Sequence, residues 1–180
     1  MCIRDSPWAI PLIVAGGALV SGTLVYFVAP TAKGHGTDNA IHAVHHDPTA
    51  LKGKVAAVKI IASSLVIGSG GSGGREGPTA QISATVISSL CKKLKIATPD
   101  ARIAVSAATA SGIGAIFRAP LGGALLGAEL LYRDDMESDA IMPSLVSSIV
   151  AFVVFGSVYG FEPILSLIHI SEPTRRYAIS

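Results

Sequence analysis

The sequence predicts an all-α membrane protein with several broken or re-entrant transmembrane helices. Hydrophobic residues make up 50% of the chain, charged residues only 14%, and the mean hydropathy is +0.57. Soluble domains carry about 25% charged residues, so the deficit points to a membrane. Residues 6–32 and 140–161 contain no charged side chain, and about 20 apolar residues are enough to cross a bilayer.

Composition also limits the kinds of partner the protein could bind, and the two ends of the chain indicate where the domain begins and ends. A net charge of +2 gives no argument for a nucleic-acid partner. The two cysteines, Cys2 and Cys91, form neither a CxxC pair nor a zinc spacing, and we expect no cofactor and no metal. Residues 1–6 (MCIRDS) and 166–180 (SLIHISEPTRRYAIS) resemble translated sequencing-adapter tails. We therefore expect both to be artefacts, with short natural tails as the alternative, and residues 7–165 to form the transmembrane domain.

The first uncharged stretch predicts a transmembrane helix over residues 6–32. Trp8 and Tyr26 lie near its two ends, where aromatic side chains suit the membrane interfaces. A turn at residues 34–36 follows, and Thr37 or Asp38 is expected to cap a short helix after it. That helix carries His42, His45 and His46 on one face. Their spacing permits a metal site, but we expect a polar helix end at the membrane surface.

The next segments predict shorter and interrupted helices. Residues 55–72 are long enough to enter the bilayer but include Lys59, so we expect this segment to pack against protein rather than lipid. Pro78 is expected at the first position of a helix that continues through Cys91. Between residues 103 and 128 small residues recur every fourth position, a pattern that lets helices approach closely in lipid, and Pro120 divides this run.

The whole pattern predicts about three full-length spans together with several short apolar helices. A charged loop is expected over residues 132–138, before the last uncharged stretch. Broken helices whose ends meet at mid-membrane depth are how transporters form ion sites. The sequence therefore indicates a multi-pass integral membrane protein, and its broken helices are typical of transporters.

The glycine-rich stretch of residues 68–81, GSGGSGGREGPTAQ, is the strongest candidate for a functional site. It delivers the carboxylate of Glu76 to the start of an apolar helix, where free N–H groups attract anions. Arg75 and Glu76 are both unfavourable at membrane depth, which favours a functional role over simple packing. The rival hypothesis is a nucleotide-binding enzyme, because Gly68, Gly70 and Gly73 match GxGxxG. That fingerprint also needs an acidic residue about 20 positions later, and residues 78–99 contain none.

Two motifs resemble those of a known family. Residues 74–78, Gly-Arg-Glu-Gly-Pro, with Gln81 after them, resemble the GREGP motif of the CLC chloride channels and chloride/proton exchangers. Residues 112–129, GIGAIFRAPLGGALLGAE, resemble the family's second motif, GxxAxFxAPLxGxLFxxE. The resemblance covers roughly residues 7–165. It implies one inverted-repeat half of a CLC-type fold, the first half of the family's chain, and a protein that is not an enzyme.

The resemblance also implies the site. Glu76 would be the gating glutamate, which occupies an anion position when closed and swings away or takes a proton to open it. Residues 34–37 stand where the family has its first anion-contacting loop. The residues implied to bind the anion are Gly34, His35, Gly36, Thr37, Arg75 and Gly77. For Arg75 two roles stay open: positive potential in the anion pathway, or a clamp on nearby carbonyls.

The chain departs from the family pattern in three respects. His35 replaces a serine, and Thr37-Asp38 replaces Ile-Pro, which leaves a fluoride-selective relative as an alternative. Leu130 stands where many exchangers have a proton-handling glutamate, so either the protein is channel-like or protons take another route. The second half's GxFxP loop and its anion-contacting tyrosine have no match, so we expect this fragment to be inactive alone.

For the intact protein the resemblance implies chloride or another small anion as transported ligand, with protons as a further one. It also implies a homodimer formed through residues 121–131 and 140–161. The implied location is a lipid bilayer, which we expect to be a prokaryotic cell membrane.

Overall fold

The computed structural model of the protein describes residues 9–34, 36–130 and 138–161. These residues form seven α-helices and a 3-10 turn, and no strand occurs among them, so the all-α prediction is confirmed. The helices are α1 (Ala9–Val28), α2 (Thr37–His46), α3 (Gly53–Gly68), α4 (Glu76–Leu94), α5 (Thr98–Phe117), α6 (Pro120–Leu130) and α7 (Ser138–Tyr159), with the 3-10 turn at Pro30–Ala32.

Helix α5 lies at the centre of the helical packing. It contacts α4 on one side and α6 and α7 on the other, and α2 lies against both α4 and α5. One core cluster joins α2, α4 and α5 through Ala40, Val44, Ala84 and Val105. A second cluster joins the chain after α1 to α3 through Ala29, Ala32, Val55 and Val58. Helix α3 thus connects α1 to the rest of the helices, and the start of α2 lies between the two clusters.

The small residues of α6 let it cross α5 at backbone contact. A Cβ atom on Gly127 would lie 2.6 Å from Cα and 2.7 Å from the backbone nitrogen of Ala110, and one on Gly123 would collide with the backbone of Gly114. The hydroxyl of Ser106 donates to the carbonyl of Gly127 across the same crossing, at 3.0 Å. The four-residue repeat of small side chains therefore serves the close approach that the sequence predicts.

The break between α5 and α6 falls where Pro120 predicts it. Helix α5 ends at Phe117, Arg118 adopts a left-handed conformation with φ 53°, and α6 begins at Pro120 itself. The guanidinium of Arg118 donates to the carbonyl of Tyr159, at the end of α7, at 3.2 Å. A cation at a helix C-terminus is favourable because the terminal carbonyls carry partial negative charge. The contact ties the α5–α6 break to α7.

Two helices among the described residues are long and apolar enough to cross a membrane, rather than the three full-length spans expected. They are Ile10–Val28 within α1 and Ser138–Tyr159, which is α7. Helix α3 has 16 residues, or about 24 Å at 1.5 Å per residue, which is short of the roughly 30 Å hydrocarbon core. Helix α5 has 20 residues but includes Asp100, Arg102 and many serine, threonine and glycine residues.

Two local predictions near the first turn are wrong. Helix α1 ends at Val28 rather than continuing to residue 32, because Pro30 disfavours the helical conformation of the residue before it. Helix α2 is capped by neither Thr37 nor Asp38. Its N-cap is Gly36, at φ +88° and without a side-chain capping bond, and Thr37 is already the first helical residue. The conformation at Gly36 is one that only glycine adopts without strain.

The segments interpreted as adapter tails, residues 1–6 and 166–180, lie outside the described residues. Most of the predicted charged loop, residues 131–137, also lies outside them. Both assignments stay predictions.

We predict that Gly127→Ala destabilises the α5–α6 crossing by about 1–3 kcal/mol or more, because the added methyl group meets backbone atoms that cannot move aside. The measurement is the melting temperature of the detergent-solubilised protein. Gly122→Ala is the matched control in the same helix, where a Cβ meets nothing closer than 3.8 Å. The control should be neutral or stabilising by up to about 1 kcal/mol, because alanine favours helix more than glycine does. Equal melting temperatures for the two variants would contradict the close crossing.

Candidate anion-binding site

The glycine-rich stretch becomes the loop between α3 and α4. Helix α3 ends at Gly68, and α4 begins at Glu76 with Arg75 as its N-cap. Pro78 is therefore the third residue of α4, not the first as predicted. The N–H groups of the first helical positions have no acceptor inside the helix, so proline is still tolerated there. The first intrahelical bond runs from the N–H of Thr79 to the carbonyl of Arg75, at 3.1 Å.

The N-terminal ends of α2 and α4 touch each other through two glycines. Gly36, the N-cap of α2, and Gly77, the second residue of α4, are both buried. A Cβ atom on Gly36 would lie 2.5 Å from the carbonyl oxygen of Gly77 and 3.1 Å from Cβ of Gln81. Each helix N-terminus carries roughly half a positive charge. Their contact concentrates that potential in one place and suits an anion.

Glu76 lies at this junction as the first residue of α4. Its side chain is exposed and folds back over the loop, so that a Cβ atom on Gly74 would lie 3.1 Å from Oε2 of Glu76. A carboxylate in the first turn of a helix is stabilised by the helix dipole. The side chain of Arg75 is also exposed. The predicted gate and the predicted anion contacts Gly34, Gly36, Thr37 and Gly77 thus occupy the adjoining ends of two helices, whereas His35 lies outside the described residues.

Lys59 of α3 binds two backbone carbonyls beside this junction. The Nζ atom of Lys59 donates to the carbonyls of Ala32 and Gly34, each at 2.9 Å. The sequence predicted that Lys59 packs against protein, and its side chain is buried. Its partners could not be predicted, because they lie 27 and 25 residues away in the chain. The only feature of the sequence that pointed to a special role for Lys59 was its charge within a largely apolar helix.

Two cavities flank the loop that Lys59 holds. One, of about 410 Å³, lies between α1, α3 and the start of α4 and is lined by Lys59, Gly34, Gly74 and Pro78, among others. The other, of about 520 Å³, lies on the far side of the loop between α2 and the start of α3. The first cavity therefore places a buried cation and the glycine-rich loop on one wall.

The second cavity is lined by two of the three histidines that the sequence singled out, His42 and His46, but not by His45. The rings of His42 and His46 lie 4.4 Å apart between centroids, and both line the cavity. No group of three metal-ligating side chains occurs within the described part of the chain. Asp47 beside them accepts hydrogen bonds from the hydroxyl of Thr49, at 2.8 Å, and from its N–H, at 2.9 Å, and these bonds lower the pKa of Asp47 below its ordinary value. Asp47 thus closes a turn after α2.

The fold and the junction define a class of protein: a helical protein in which the N-termini of two short helices meet, an arrangement that channels and transporters use for ion sites. Comparison with known families agrees. The model of the voltage-gated chloride channel family matches residues 17–179, and the chain belongs to that family. The family consists of integral membrane channels and exchangers rather than enzymes. The matched range extends into residues 166–179, which were interpreted as an adapter tail.

Curated relatives carry names of the same kind. The voltage-gated ClC-type chloride channel ClcB of Salmonella typhimurium is 28% identical over 92% of this chain and 40% of its own. The H(+)/Cl(-) exchange transporter ClcA of Vibrio vulnificus is 29% identical over 90% of this chain and 35% of its own. The chloride/fluoride channel protein of Pseudomonas syringae pv. tomato is 29% identical over 86% of this chain and 33% of its own. The chain thus spans about two fifths or less of these relatives. No solved structure matches the chain.

The nucleotide-binding alternative does not fit the local structure. The GxGxxG fingerprint needs a strand immediately before its first glycine. Residues 53–68 form helix α3 up to and including Gly68. The glycines therefore follow a helix and lead into the junction of α2 and α4.

We predict that Gly36→Ala destabilises the junction more than Gly34→Ala does. Both glycines have positive φ, +88° and +86°, so each alanine costs about 1–2 kcal/mol of backbone strain. Only the Cβ at residue 36 would also meet the carbonyl of Gly77, whereas nothing lies within 4 Å of a Cβ at residue 34. The added crowding is worth a further 1–3 kcal/mol, roughly. Melting temperatures of the two variants in detergent make the comparison, and a Gly36→Ala protein as stable as Gly34→Ala would contradict the contact.

Proposed function

We propose that the protein transports chloride across a membrane, as part of a channel or chloride/proton exchanger in which Glu76 is the gate. The observation that carries the proposal is the contact of Gly36 with Gly77, which joins two helix N-termini beside Glu76. Family membership supports it, as do the names of relatives described as a chloride channel and a chloride/proton exchanger.

The physical basis is replacement of the hydration of the ion by peptide dipoles. A bare ion in a medium of low dielectric constant is less stable than in water by tens of kcal/mol, approximately. The N–H groups of Gly36 and Gly77 precede the intrahelical bonds of α2 and α4 and supply partial positive charge. No full positive charge need touch the ion, so binding stays weak enough for the ion to leave.

Glu76 competes with the transported anion for these dipoles. Its carboxylate is a negative group attached at the first residue of α4, where the helix dipole stabilises it. While charged and folded in, it excludes a second anion by repulsion. When it swings out or takes a proton, the anion can enter. The rate of anion transport then depends on pH through the carboxyl group of Glu76 alone.

We predict that Glu76→Gln abolishes the pH dependence of chloride flux and leaves the pathway open. Glutamine has the shape of the protonated acid but cannot ionise. The assay uses the gene completed from its source DNA to the length of its relatives, with the protein reconstituted in liposomes. Chloride efflux is recorded with an ion-selective electrode from about pH 3 to about pH 7, a range that extends to both sides of the reference pKa of a glutamate side chain.

The matched control for this experiment is Glu129→Gln. Glu129 is an exposed carboxylate near the end of α6, away from the junction of α2 and α4. That variant should keep the pH dependence of the parent protein. An unaltered pH dependence in Glu76→Gln would remove Glu76 from the gate, whatever the control does.

A second measurement separates the channel from the exchanger. Leucine has no ionisable group, so Leu130 cannot carry a proton where exchangers of the family often place a glutamate. We therefore predict that a chloride gradient moves chloride without changing the internal pH of the liposomes. A pH change driven by chloride would contradict this prediction and would require a proton route that bypasses Leu130.

Fluoride transport is a second candidate. The first loop of this chain departs from the family pattern at residues 35, 37 and 38, and one relative is named as a chloride/fluoride channel. Fluoride and chloride electrodes applied to the same liposomes distinguish the two, because a fluoride-selective protein would release fluoride much faster than chloride.

We further propose that the intact protein is a homodimer in the bilayer. The surface formed by α6 and α7 carries exposed large apolar side chains, including Leu121, Leu125, Met142 and Val146. This is the region through which the family resemblance implies dimer contact. Such side chains are suited to a partner subunit or to lipid.

A further inference from the structure

Lys59 is a buried cation whose only described partners are peptide carbonyls. Its side chain is 8% exposed. Both of its hydrogen bonds, at 2.9 Å, go to the loop that leads into α2. Burial of an ammonium group is strongly unfavourable unless its hydrogen bonds are satisfied. Three well-placed donors on a flexible stem can satisfy two carbonyls at once. The two hydrogen bonds of Lys59 therefore both offset the burial of its charge and hold the loop before α2.

A second side chain holds the same loop from another direction. The Nδ2 atom of Asn39, in the first turn of α2, donates to the carbonyls of Thr31 and Lys33, each at 3.2 Å. Lys59 takes the carbonyls of Ala32 and Gly34. The four consecutive carbonyls of residues 31 to 34 thus all accept hydrogen bonds. Those of residues 31 and 33 accept from Asn39, and those of residues 32 and 34 accept from Lys59. We call this arrangement the carbonyl clamp.

The carbonyl clamp acts on the segment that forms one wall of the proposed anion site. Carbonyl oxygens carry partial negative charge and repel an anion, whereas the N–H groups of the same backbone attract it. Engaging the oxygens fixes the orientation of the peptides just before Gly36. Because Gly36 contacts Gly77, the same restraint sets the separation of the two helix N-termini.

We propose that Lys59 is the positioning residue that determines which anions the site accepts. It holds the carbonyls of Ala32 and Gly34 out of the anion's surroundings and fixes the spacing between Gly36 and Gly77. This inference deepens the proposed function and rests on it. It differs from a purely electrostatic role, in which the charge of Lys59 would attract every monovalent anion equally.

The test compares anions of equal charge and different size. Chloride and nitrate binding to the completed, detergent-solubilised protein are measured by isothermal titration for the parent, Lys59→Met and Lys59→Arg. Lys59→Met should weaken chloride binding by about tenfold and should reduce the chloride-to-nitrate affinity ratio by about threefold or more. Lys59→Arg, which keeps two or more donors and the charge, should restore most of the ratio.

Two further variants make the result specific. Lys54→Met removes an exposed positive charge from the same helix and should leave the affinity ratio unchanged. Asn39→Leu removes the other half of the carbonyl clamp without touching a buried charge. It should lower the ratio in the same direction as Lys59→Met, and it serves as the test if the methionine variant fails to fold.

The outcomes separate the inference from the function on which it rests. A uniform loss of affinity for both anions in Lys59→Met, with the ratio intact, would mean long-range attraction and would overturn the positioning role. A lower melting temperature with unchanged binding would mean a structural role and would overturn it as well. Failure of the parent protein to bind either anion would instead refute the proposed function.

Discussion

The contact between Gly36 and Gly77 is the constraint on which the rest of the structure depends. The N-termini of α2 and α4 can approach this closely because residue 36 has no side chain to meet the carbonyl of Gly77, and Gly36 also adopts a left-handed φ of +88°. Helix α2 is held in that position by Ala40 and Val44, which pack on Ala84 and Val105 of the helices beneath. The core cluster and the contact at Gly36 together bring the N-terminal ends of α2 and α4 next to each other.

The many small side chains in the helices suit a protein of a membrane family, because the surrounding medium is lipid rather than water. Lipid tails are as apolar as leucine, so helices in a bilayer gain little from burying large apolar residues against each other. Close backbone contact and interhelical hydrogen bonds take over that task. Three serine hydroxyls illustrate it, because those of Ser21, Ser106 and Ser148 donate to carbonyls of Ala62, Gly127 and Pro120 on neighbouring helices. This explains why so many large apolar side chains of α1 and α7 are exposed.

Local features of the fold could be predicted from the sequence, whereas contacts between distant segments could not. Pro120 predicts the break between α5 and α6, because a proline acts on its immediate neighbours in the chain. The repeat of small side chains predicts close helix contact, but not which two helices make it. The cap of α2 was predicted wrongly, because the N-cap is Gly36, which has no side chain to signal a cap and which lies against Gly77, 41 positions later. The sequence predicts a helix that begins at Pro78, two residues after the observed start of α4 at Glu76, and it does not predict the hydrogen bonds of Lys59. Lys59 signals burial by its position in an apolar helix, and nothing local indicates which carbonyls it meets.

The placement of Lys59 also bears on how an anion site can be selective without being tight. A lysine in direct contact with chloride would form an ion pair in a low-dielectric site, where attraction is strong and release is slow. In the structure the ammonium is bound to peptide oxygens instead. Under our proposal, the charge of Lys59 therefore acts on the orientation of the loop before Gly36 and does not pair with the anion. A site that binds an anion through peptide dipoles can favour one ion and still allow it to leave.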